Sequence, residues 1–252
     1  TDLVLLEGRI ALVTEYVEGA DLDECFGAHP PLPPRALLEV IGRVADALHS
    51  AFNTTSANGT SLELIHRDIK PGNILVTKEG RVVIIDFGVA KALGRDKMTK
   101  TGAAVGTYEY MSPEQVQGKD VGPSSDVYSM GIVLYKMLSG VVPFPQKSEG
   151  GFEVEHAHVH REPPPLEEFR EGVPGWLVDV VKRALAKMPD NRFASGLEMK
   201  QALSQEGPAS GQGRSLSAPE APGGADGVAS HARMTVPSTT PSVATHVTAD
   251  PR

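Results

Sequence analysis

Two short apolar runs open the chain, at residues 3–6 and 10–13, with the polar turn Glu7-Gly8-Arg9 between them. This pattern predicts two strands joined as a hairpin. A second pair of apolar runs, at residues 73–77 and 81–85, flanks another short turn and predicts a second hairpin. The sequence therefore predicts a small amount of sheet in two separate places.

The remaining apolar residues recur mostly at helical spacing. Residues 35–52 begin behind two prolines and carry their apolar residues on one face, as an amphipathic helix does. Residues 127–139 form a strongly apolar segment that ends at a glycine. Two further helices are predicted at residues 176–187 and 196–204. The predicted fold class is α+β, with a mostly helical body.

Two segments lack this periodicity. Residues 53–62 are polar and rich in turn-forming types, which predicts a loop. Residues 207–252 contain 31 Gly, Pro, Ser, Thr or Ala among 46 positions and no aromatic residue. Such a stretch buries too little apolar surface to offset the entropy of ordering its backbone. We therefore expect a disordered tail.

Composition excludes several classes of protein. The net charge of -8 argues against binding nucleic acid or anionic membranes through a general basic field. The single cysteine, Cys25, excludes an internal disulfide framework and a cysteine-rich zinc module, which favours a reducing, cytoplasmic location. No apolar run approaches the ~18 residues of a membrane span.

Acidic and amide residues gather around the second predicted hairpin. Asp68 and Asn73 lie in the segment His-Arg-Asp-Ile-Lys-Pro-Gly-Asn just before it, and Asp86 follows its second strand. Because the hairpin folds back on itself, Asn73 and Asp86 can converge on one point, where their oxygens suit Mg²⁺. Lys70 lies two residues after Asp68, so one side chain can take a proton while the other neutralises charge.

These motifs resemble the catalytic loop and the metal-binding motif of the eukaryotic-like protein kinases. The second motif, Asp86-Phe87-Gly88, follows Asn73 by thirteen positions, and Lys70 is typical of the Ser/Thr branch. The chain is thus similar to a bacterial-type Ser/Thr protein kinase catalytic domain.

The resemblance implies a protein-kinase-like fold, reduced to part of its N-terminal lobe. Residues 1–18 correspond to the last two strands and hinge of that lobe, residues 19–205 to the helical C-terminal lobe, and residues 206–252 to the disordered tail.

Further motifs downstream strengthen the resemblance. Gly106-Thr107-Tyr108 and Met111-Ser112-Pro113-Glu114 are similar to the end of an activation segment, although the family more often has Ala at position 112. Asp126 matches an aspartate that braces the catalytic-loop backbone, and Arg192 matches an arginine that pairs with Glu114. The residues to which the resemblance assigns regulatory or structural roles are His66, Arg67, Phe87, Gly88, Thr107, Glu114, Asp126 and Arg192.

The residues around the end of the second strand are similar to the family's hinge. On that match Thr14 is the gatekeeper position, and the backbone of Glu15 and Val17 holds the adenine edge. Asp21 then faces the ribose, and Leu75 packs beneath the adenine ring.

The implied reaction moves the γ-phosphoryl group of ATP to a Ser or Thr hydroxyl of a protein substrate. Asp68 orients the hydroxyl or accepts its proton, and Lys70 offsets charge on the transferred group. Asn73 and Asp86 hold Mg²⁺ across the phosphates. Catalysis of this kind depends mainly on positioning and electrostatic stabilisation.

An arginine directly before the catalytic aspartate marks kinases of this family that are switched by phosphorylation. Thr99 and Thr101 lie among basic residues in the segment that the resemblance assigns to the activation loop. A phosphate there could pair with Arg67 and order the loop. The other reading is that both threonines are only solvated, and the switch is the favoured one.

Three alternating histidines, His156, His158 and His160, allow two interpretations. On a strand they share one face and form a possible metal site, but no fourth ligand is evident. Polar surface is the favoured interpretation.

The Gly-rich loop, the Ala-x-Lys motif and the helix Glu of the family would all precede Leu3. We therefore expect this chain alone to bind ATP weakly and to transfer phosphate poorly. A truncated or misassigned gene, a fragment and a non-catalytic remnant all remain open, and the intact Asp68, Asn73 and Asp86 favour the first two. The alternative function is a pseudokinase-like interaction module, and the tail could lead to a membrane anchor beyond residue 252.

Overall fold

The structure is a computed structural model, and its description covers six stretches of the chain. These stretches are residues 2–6, 9–27, 33–56, 58–87, 108–147 and 151–204. They all belong to one unit, Thr1–Pro219. The predicted tail lies outside the described residues.

Two small antiparallel sheets occur in the described part of the chain. The first pairs β1 (Asp2–Leu6) with β2 (Arg9–Val13), as the apolar runs predict, with Leu3 opposite Leu12. The second has the order β3-β4-β5 and consists of β3 (Gly19–Asp21), β4 (Ile74–Thr77) and β5 (Val82–Ile84).

The second sheet differs from the prediction in two places. The sequence predicts the β4–β5 hairpin but not β3, whose three residues Gly-Ala-Asp carry no apolar run. Asn73, predicted as the first residue of a strand, instead ends a 3₁₀ turn, Pro71–Asn73. A proline two residues before it sets the backbone for a turn rather than for an extended strand.

Helices form the larger part of the regular secondary structure in these stretches. They are α1 (Leu22–Gly27), α2 (Pro34–Phe52), α3 (Pro113–Val116), α4 (Pro123–Ser139), α5 (Phe152–His160), α6 (Gly175–Ala184) and α7 (Gly196–Ser204). None of the helices in the described ranges combines the length and the apolar character that crossing a bilayer requires.

The apolar pattern predicts four of these helices, α2, α4, α6 and α7, but not α1, α3 and α5. The predicted bounds of those four are close to the observed ones, with two exceptions. Helix α7 has the predicted bounds, and α2 begins one residue before its predicted start. Helix α4 begins four residues before its predicted start, because the polar residues of its first turn are also buried. Helix α6 ends at Ala184, three residues before its predicted end, and a turn follows.

Helix α4 is the centre of the core. It is buried on nearly every side, which is the behaviour of a helix surrounded by other elements. Helices α2, α6 and α7 pack around it. A Cβ at Gly131 would lie 2.9 Å from the Cβ of Ala184 and 3.0 Å from a methyl of Leu185, so this glycine lets α4 and α6 approach closely.

The three alternating histidines lie on helix α5 and not on a strand. His156 and His160 are one turn apart on its exposed side, with ring centroids 4.6 Å apart. His158 is two residues from each of them, and with 3.6 residues per helical turn it therefore lies on the opposite side of the helix. Its side chain is fully buried. The interpretation as polar surface is therefore correct for two of the histidines and wrong for His158.

His158 is held by the core. Its Nδ1 lies 3.0 Å from the hydroxyl of Tyr128, and its Nε2 has no hydrogen-bond partner among the described residues. Within those same stretches, no three His, Cys, Asp or Glu side chains form a group that could hold a metal ion. The three histidines accordingly do not form a metal site.

A buried ion pair joins α3 to the turn before α7. Arg192 donates to both carboxylate oxygens of Glu114, at 2.7 and 2.9 Å, and its side chain is fully buried. The remaining guanidinium N–H groups donate to the carbonyls of Ser124, Ala186 and Lys187 at 2.7–3.0 Å. All five donors of the guanidinium are thus used.

The carboxylate of Glu114 is stabilised in its charged form. The hydroxyl of Ser125 donates to it at 2.6 Å. Burial alone would raise the pKa of Glu114, but the hydrogen bonds from Arg192 and Ser125 outweigh it and leave the pKa below its ordinary value. The pair thus joins two parts of the chain that are 78 residues apart.

Replacing Arg192 by Met should leave the Glu114 carboxylate buried without its opposite charge. We expect Arg192→Met to lower the free energy of unfolding by about 3–5 kcal/mol in urea denaturation. Arg43→Met is the control, because Arg43 pairs with Glu39 in solvent and should cost less than about 1 kcal/mol. Equal losses in the two variants would contradict this prediction.

Stability should also depend on pH through His158. Burial, with a smaller contribution from the charge of Lys187, lowers the pKa of His158 from 6.5 to about 3. Between pH 6.5 and about 3 the imidazole is protonated in the unfolded chain but neutral in the folded chain. The free energy of unfolding is therefore highest above the unfolded-state pKa of 6.5 and decreases as the pH falls below it. We expect this residue to remove about 2 kcal/mol of stability between pH 7.5 and 5.

The measurement compares urea denaturation at several pH values. His158→Gln keeps an acceptor for the Tyr128 hydroxyl but cannot take up the proton, so its stability should fall less steeply with acid. His156→Gln, on the exposed side of the same helix, should keep the wild-type pH dependence. Parallel curves for the wild type and His158→Gln would show that His158 is not the source.

Candidate active site

The backbone of the segment 66–68 is shaped by a buried carboxylate. Asp126, in the first turn of α4, accepts hydrogen bonds from the backbone N–H groups of His66 at 2.8 Å and Arg67 at 2.9 Å. Burial raises the pKa of Asp126 to about 6, although both N–H groups favour the charged form. Arg67 has a φ of 65°, a left-handed conformation that is costly for a residue with a side chain.

His66 connects this segment to the end of β5. Its Nε2 lies 3.0 Å from the carbonyl oxygen of Ile85, and its Nδ1 lies 3.3 Å from the backbone N–H of Asp68. Both contacts are satisfied by the neutral ring with its proton on Nε2. The ring also packs against Phe87, with centroids 4.6 Å apart. His66 therefore holds the segments around Asp68 and Asp86 together.

The structure brings Asp68, Lys70 and Asn73 together. The Lys70 ammonium lies 3.0 Å from Oδ2 of Asp68. The Asn73 side-chain amide donates to the same oxygen at 3.1 Å and to the Asp68 carbonyl at 2.8 Å. Both bonds use the nitrogen of Asn73, so its Oδ1 is the atom suited to a cation. The Asp68 side chain is 20% exposed, which leaves room for a substrate to reach it.

Asp86 lies at the same end of the hairpin as Asn73. Ile85 donates its backbone N–H to the Asn73 carbonyl at 3.0 Å, so Asp86 comes one residue after this contact. The Asp86 backbone is left-handed, with a φ of 56°, and the residue is exposed. Amide and carboxylate oxygens are ligands that Mg²⁺ prefers, and this donor set fits the ion.

The residues assigned to nucleotide binding line β3 and its neighbours. Asp21 stands directly opposite Leu75 in the pairing of β3 with β4, so the two positions are adjacent. The Asp21 carboxylate also accepts from the Glu24 N–H at 2.8 Å and caps α1. Glu15 is exposed and Val17 is half-buried in the segment between β2 and β3.

Gly19 allows β3 and β4 to approach each other closely. A Cβ at this position would lie 2.8 Å from the carbonyl oxygen of Val76. The sheet pairing that aligns Asp21 with Leu75 therefore depends on a residue that has no side chain.

Four of the assigned residues lie outside the described residues. They are Gly88, Thr99, Thr101 and Thr107. Their predicted roles remain predictions.

Sequence reasoning missed the roles of two residues at the edge of the site. Ser112 and Gln115 form a capping box at the start of α3, which explains the serine at a position where alanine is more common in the family. The amide nitrogen of Gln115 also donates to the Arg67 carbonyl at 2.7 Å. The pattern Ser-x-x-Gln before a helix signals the cap, but no local pattern signals the contact with Arg67, which is 48 residues away.

This arrangement suits phosphoryl transfer. A carboxylate that can accept a proton lies beside a cation, and an amide and a carboxylate of the kind that suit a metal ion lie at the end of the adjacent hairpin. The loop that carries them is fixed through its backbone, which is the kind of preorganisation that such a reaction needs.

Comparison with known proteins agrees with this reading. The model of the protein kinase domain matches residues 2–206. The chain is 41% identical over 190 residues to the serine/threonine-protein kinase PknB of Mycobacterium leprae. The aligned region covers 75% of this chain and 29% of that protein. It is 40% identical over 191 residues to PknB of Mycobacterium tuberculosis, with the same coverage.

A third relative comes from another genus. The chain is 37% identical over 193 residues to the serine/threonine-protein kinase PknA of Corynebacterium glutamicum, which covers 77% of this chain and 38% of that protein. The chain thus spans about three tenths of the length of the first curated relatives it matches, 29%. From these motifs, this geometry and these matches, the chain belongs to the protein kinase family, in its bacterial serine/threonine type.

Proposed function

We propose that this chain carries the catalytic machinery of a kinase that transfers the γ-phosphoryl group of ATP to Ser or Thr hydroxyls of proteins. The observation that carries the proposal is the triad of Asp68, Lys70 and Asn73, with contacts of 3.0 and 3.1 Å, on a loop whose backbone is held by Asp126. The single cysteine and the use of ATP fit a cytoplasmic location.

The proposed roles follow from the contacts. Asp68 orients the substrate hydroxyl and accepts its proton, since its carboxylate is partly exposed and faces Lys70. Lys70 offsets the negative charges of the Asp68 carboxylate and of the transferred phosphoryl group. Asn73 and Asp86 are the residues that would hold Mg²⁺, which supplies positive charge to the phosphates.

The nucleotide is proposed to lie against the second sheet. The backbone of Glu15 and Val17 contacts the adenine edge, Leu75 packs beneath the ring, and Asp21 faces the ribose. The direct pairing of Asp21 with Leu75 supports this placement, because both positions then face one binding site from adjacent strands.

A phosphorylation switch is the proposed mode of control. The Nε of Arg67 is buried and has no hydrogen-bond partner among the described residues. A buried guanidinium nitrogen without an acceptor is costly, and a phosphate oxygen would satisfy it. We propose that phosphate on Thr99 or Thr101 pairs with Arg67.

Two carboxylate variants test the proposed chemistry in the full-length protein. ATP with Mg²⁺ should raise the thermal unfolding midpoint of the wild type, because a ligand that binds only the folded state stabilises it. Asp86→Asn should lose most of this shift. Asp68→Asn should keep the shift but lower the rate of phosphoryl transfer at least about 100-fold, since it removes the proton acceptor.

The control is Asp120→Asn, which removes an exposed carboxylate outside the site and should change neither measurement. Nucleotide binding without any transfer by the wild type would support the alternative, a pseudokinase-like interaction module. A wild type that neither binds ATP nor transfers phosphate would refute the proposed function.

Phosphopeptide mapping tests the switch. Active protein should carry phosphate on Thr99 or Thr101, and phosphatase treatment should lower its activity about tenfold or more, the size expected for a coupling of 1–3 kcal/mol. Arg67→Met should have the activity of the phosphatase-treated wild type both before and after that treatment. Arg81→Met, at an exposed position, should behave as the wild type. Active protein with neither threonine modified would overturn the switch.

A further inference from the structure

We propose that Gln115 is a positioning residue for the catalytic loop, and this inference rests on the proposed kinase function. Its carboxamide joins the cap of helix α3 to the peptide group that precedes Asp68. The two ends of the carboxamide have different partners, and each end can be removed separately.

The oxygen of the carboxamide belongs to the helix cap. Oε1 of Gln115 accepts from the backbone N–H of Ser112 at 3.1 Å and from the Ser112 hydroxyl at 3.1 Å. In return, the Ser112 hydroxyl oxygen accepts from the backbone N–H of Gln115 at 3.4 Å. This is a complete capping box, and a glutamate would satisfy it equally well.

The nitrogen of the carboxamide has no part in the cap. It donates to the carbonyl oxygen of Arg67 at 2.7 Å, across 48 residues of sequence. Only an amide offers both an acceptor for the cap and a donor for this carbonyl. Glutamine at this position thus does something that the capping box alone does not require.

The Arg67 carbonyl belongs to the peptide group between Arg67 and Asp68. The N–H of that same group lies 3.3 Å from Nδ1 of His66, so Gln115 and His66 hold its two ends. The preceding peptide group is held by Asp126 through the Arg67 N–H. Since Arg67 has a φ of 65°, its backbone conformation is unfavourable alone and needs contacts on both sides.

These contacts set the direction in which Asp68 leaves the backbone. If the Gln115 bond is lost, the peptide group is held from one end only, and it can rotate away from the left-handed conformation. The carboxylate of Asp68 then spends less time in the position that the reaction needs. Such a loss affects the chemical step more than it affects the binding of ATP.

The helix that carries Gln115 is itself fixed. Glu114, the preceding residue, forms the buried pair with Arg192. The donor to Arg67 therefore projects from a rigid support, which is what a positioning contact requires.

Three variants of the full-length protein separate positioning from capping. Gln115→Glu keeps the cap but removes the donor, so kcat should fall about five- to tenfold while the KM for ATP stays within about twofold. Gln115→Met removes both functions, so the same fall in kcat should come with a lower thermal unfolding midpoint. Gln117→Glu adds the same charge at an exposed position of the same segment and should match the wild type.

A second measurement does not depend on activity. Amide hydrogen exchange of a peptide that spans residues 66–70 should be faster in Gln115→Glu than in Gln117→Glu, because the peptide group before Asp68 has lost one of its anchors. If the wild type shows no kinase activity, the proposed function fails and this exchange experiment still decides the inference.

The outcomes are distinct. A fall in kcat with faster exchange supports positioning by Gln115. Unchanged exchange in Gln115→Glu overturns it, and so does an unchanged kcat in an active enzyme. A fall in kcat in Gln117→Glu of the same size also overturns it, because the effect would then come from added charge.

Discussion

One buried carboxylate determines the shape of the candidate active site. Asp126 accepts the N–H groups of two successive residues, His66 and Arg67, and so holds a backbone turn that is unfavourable on its own. Taking the carboxylate out of water is costly, which is visible in its raised pKa of about 6. Helix α4, which carries this carboxylate, lies at the centre of the core and is buried on nearly every side, so it fixes the carboxylate in place.

The other polar contacts extend this arrangement outward. His66 continues it to the end of β5, and Gln115 continues it to the cap of α3. Arg192 then anchors α3 through Glu114, with every N–H of the guanidinium bonded. Buried polar networks of this kind are stable when their members are hydrogen-bonded, as the guanidinium of Arg192 is. The candidate catalytic side chains thus lie on a loop that is held from three directions.

The apolar pattern of the sequence predicts much of this fold, and spaced motifs predict most of the candidate site. The β4–β5 hairpin follows from two apolar runs around a turn, and helix α7 follows from apolar residues at helical spacing. Strand β3 has no apolar run and forms only because β4 offers it a pairing edge. The burial of His158 follows from the helical phase of α5, which the alternating histidines do not reveal.

The contacts that local sequence patterns do not predict are long-range. The contact between Gln115 and Arg67 joins residues that are 48 apart, and no local sequence pattern at either residue predicts it. Glu114 and Arg192 are 78 residues apart, and only the family resemblance indicated that they pair. Local physics determines the elements, whereas these pairs depend on how the elements pack.

The separation of His66 from Asp126 by 60 residues has a consequence for how the protein is made. A ribosome releases the chain from its N-terminus, so the catalytic loop emerges well before the carboxylate that shapes it. Until α4 has followed, the backbone N–H groups of His66 and Arg67 lack the carboxylate that accepts them in the folded protein. The nascent chain is thus without an assembled catalytic loop until α4 has been synthesised, and Arg192, which locks α3, arrives later still.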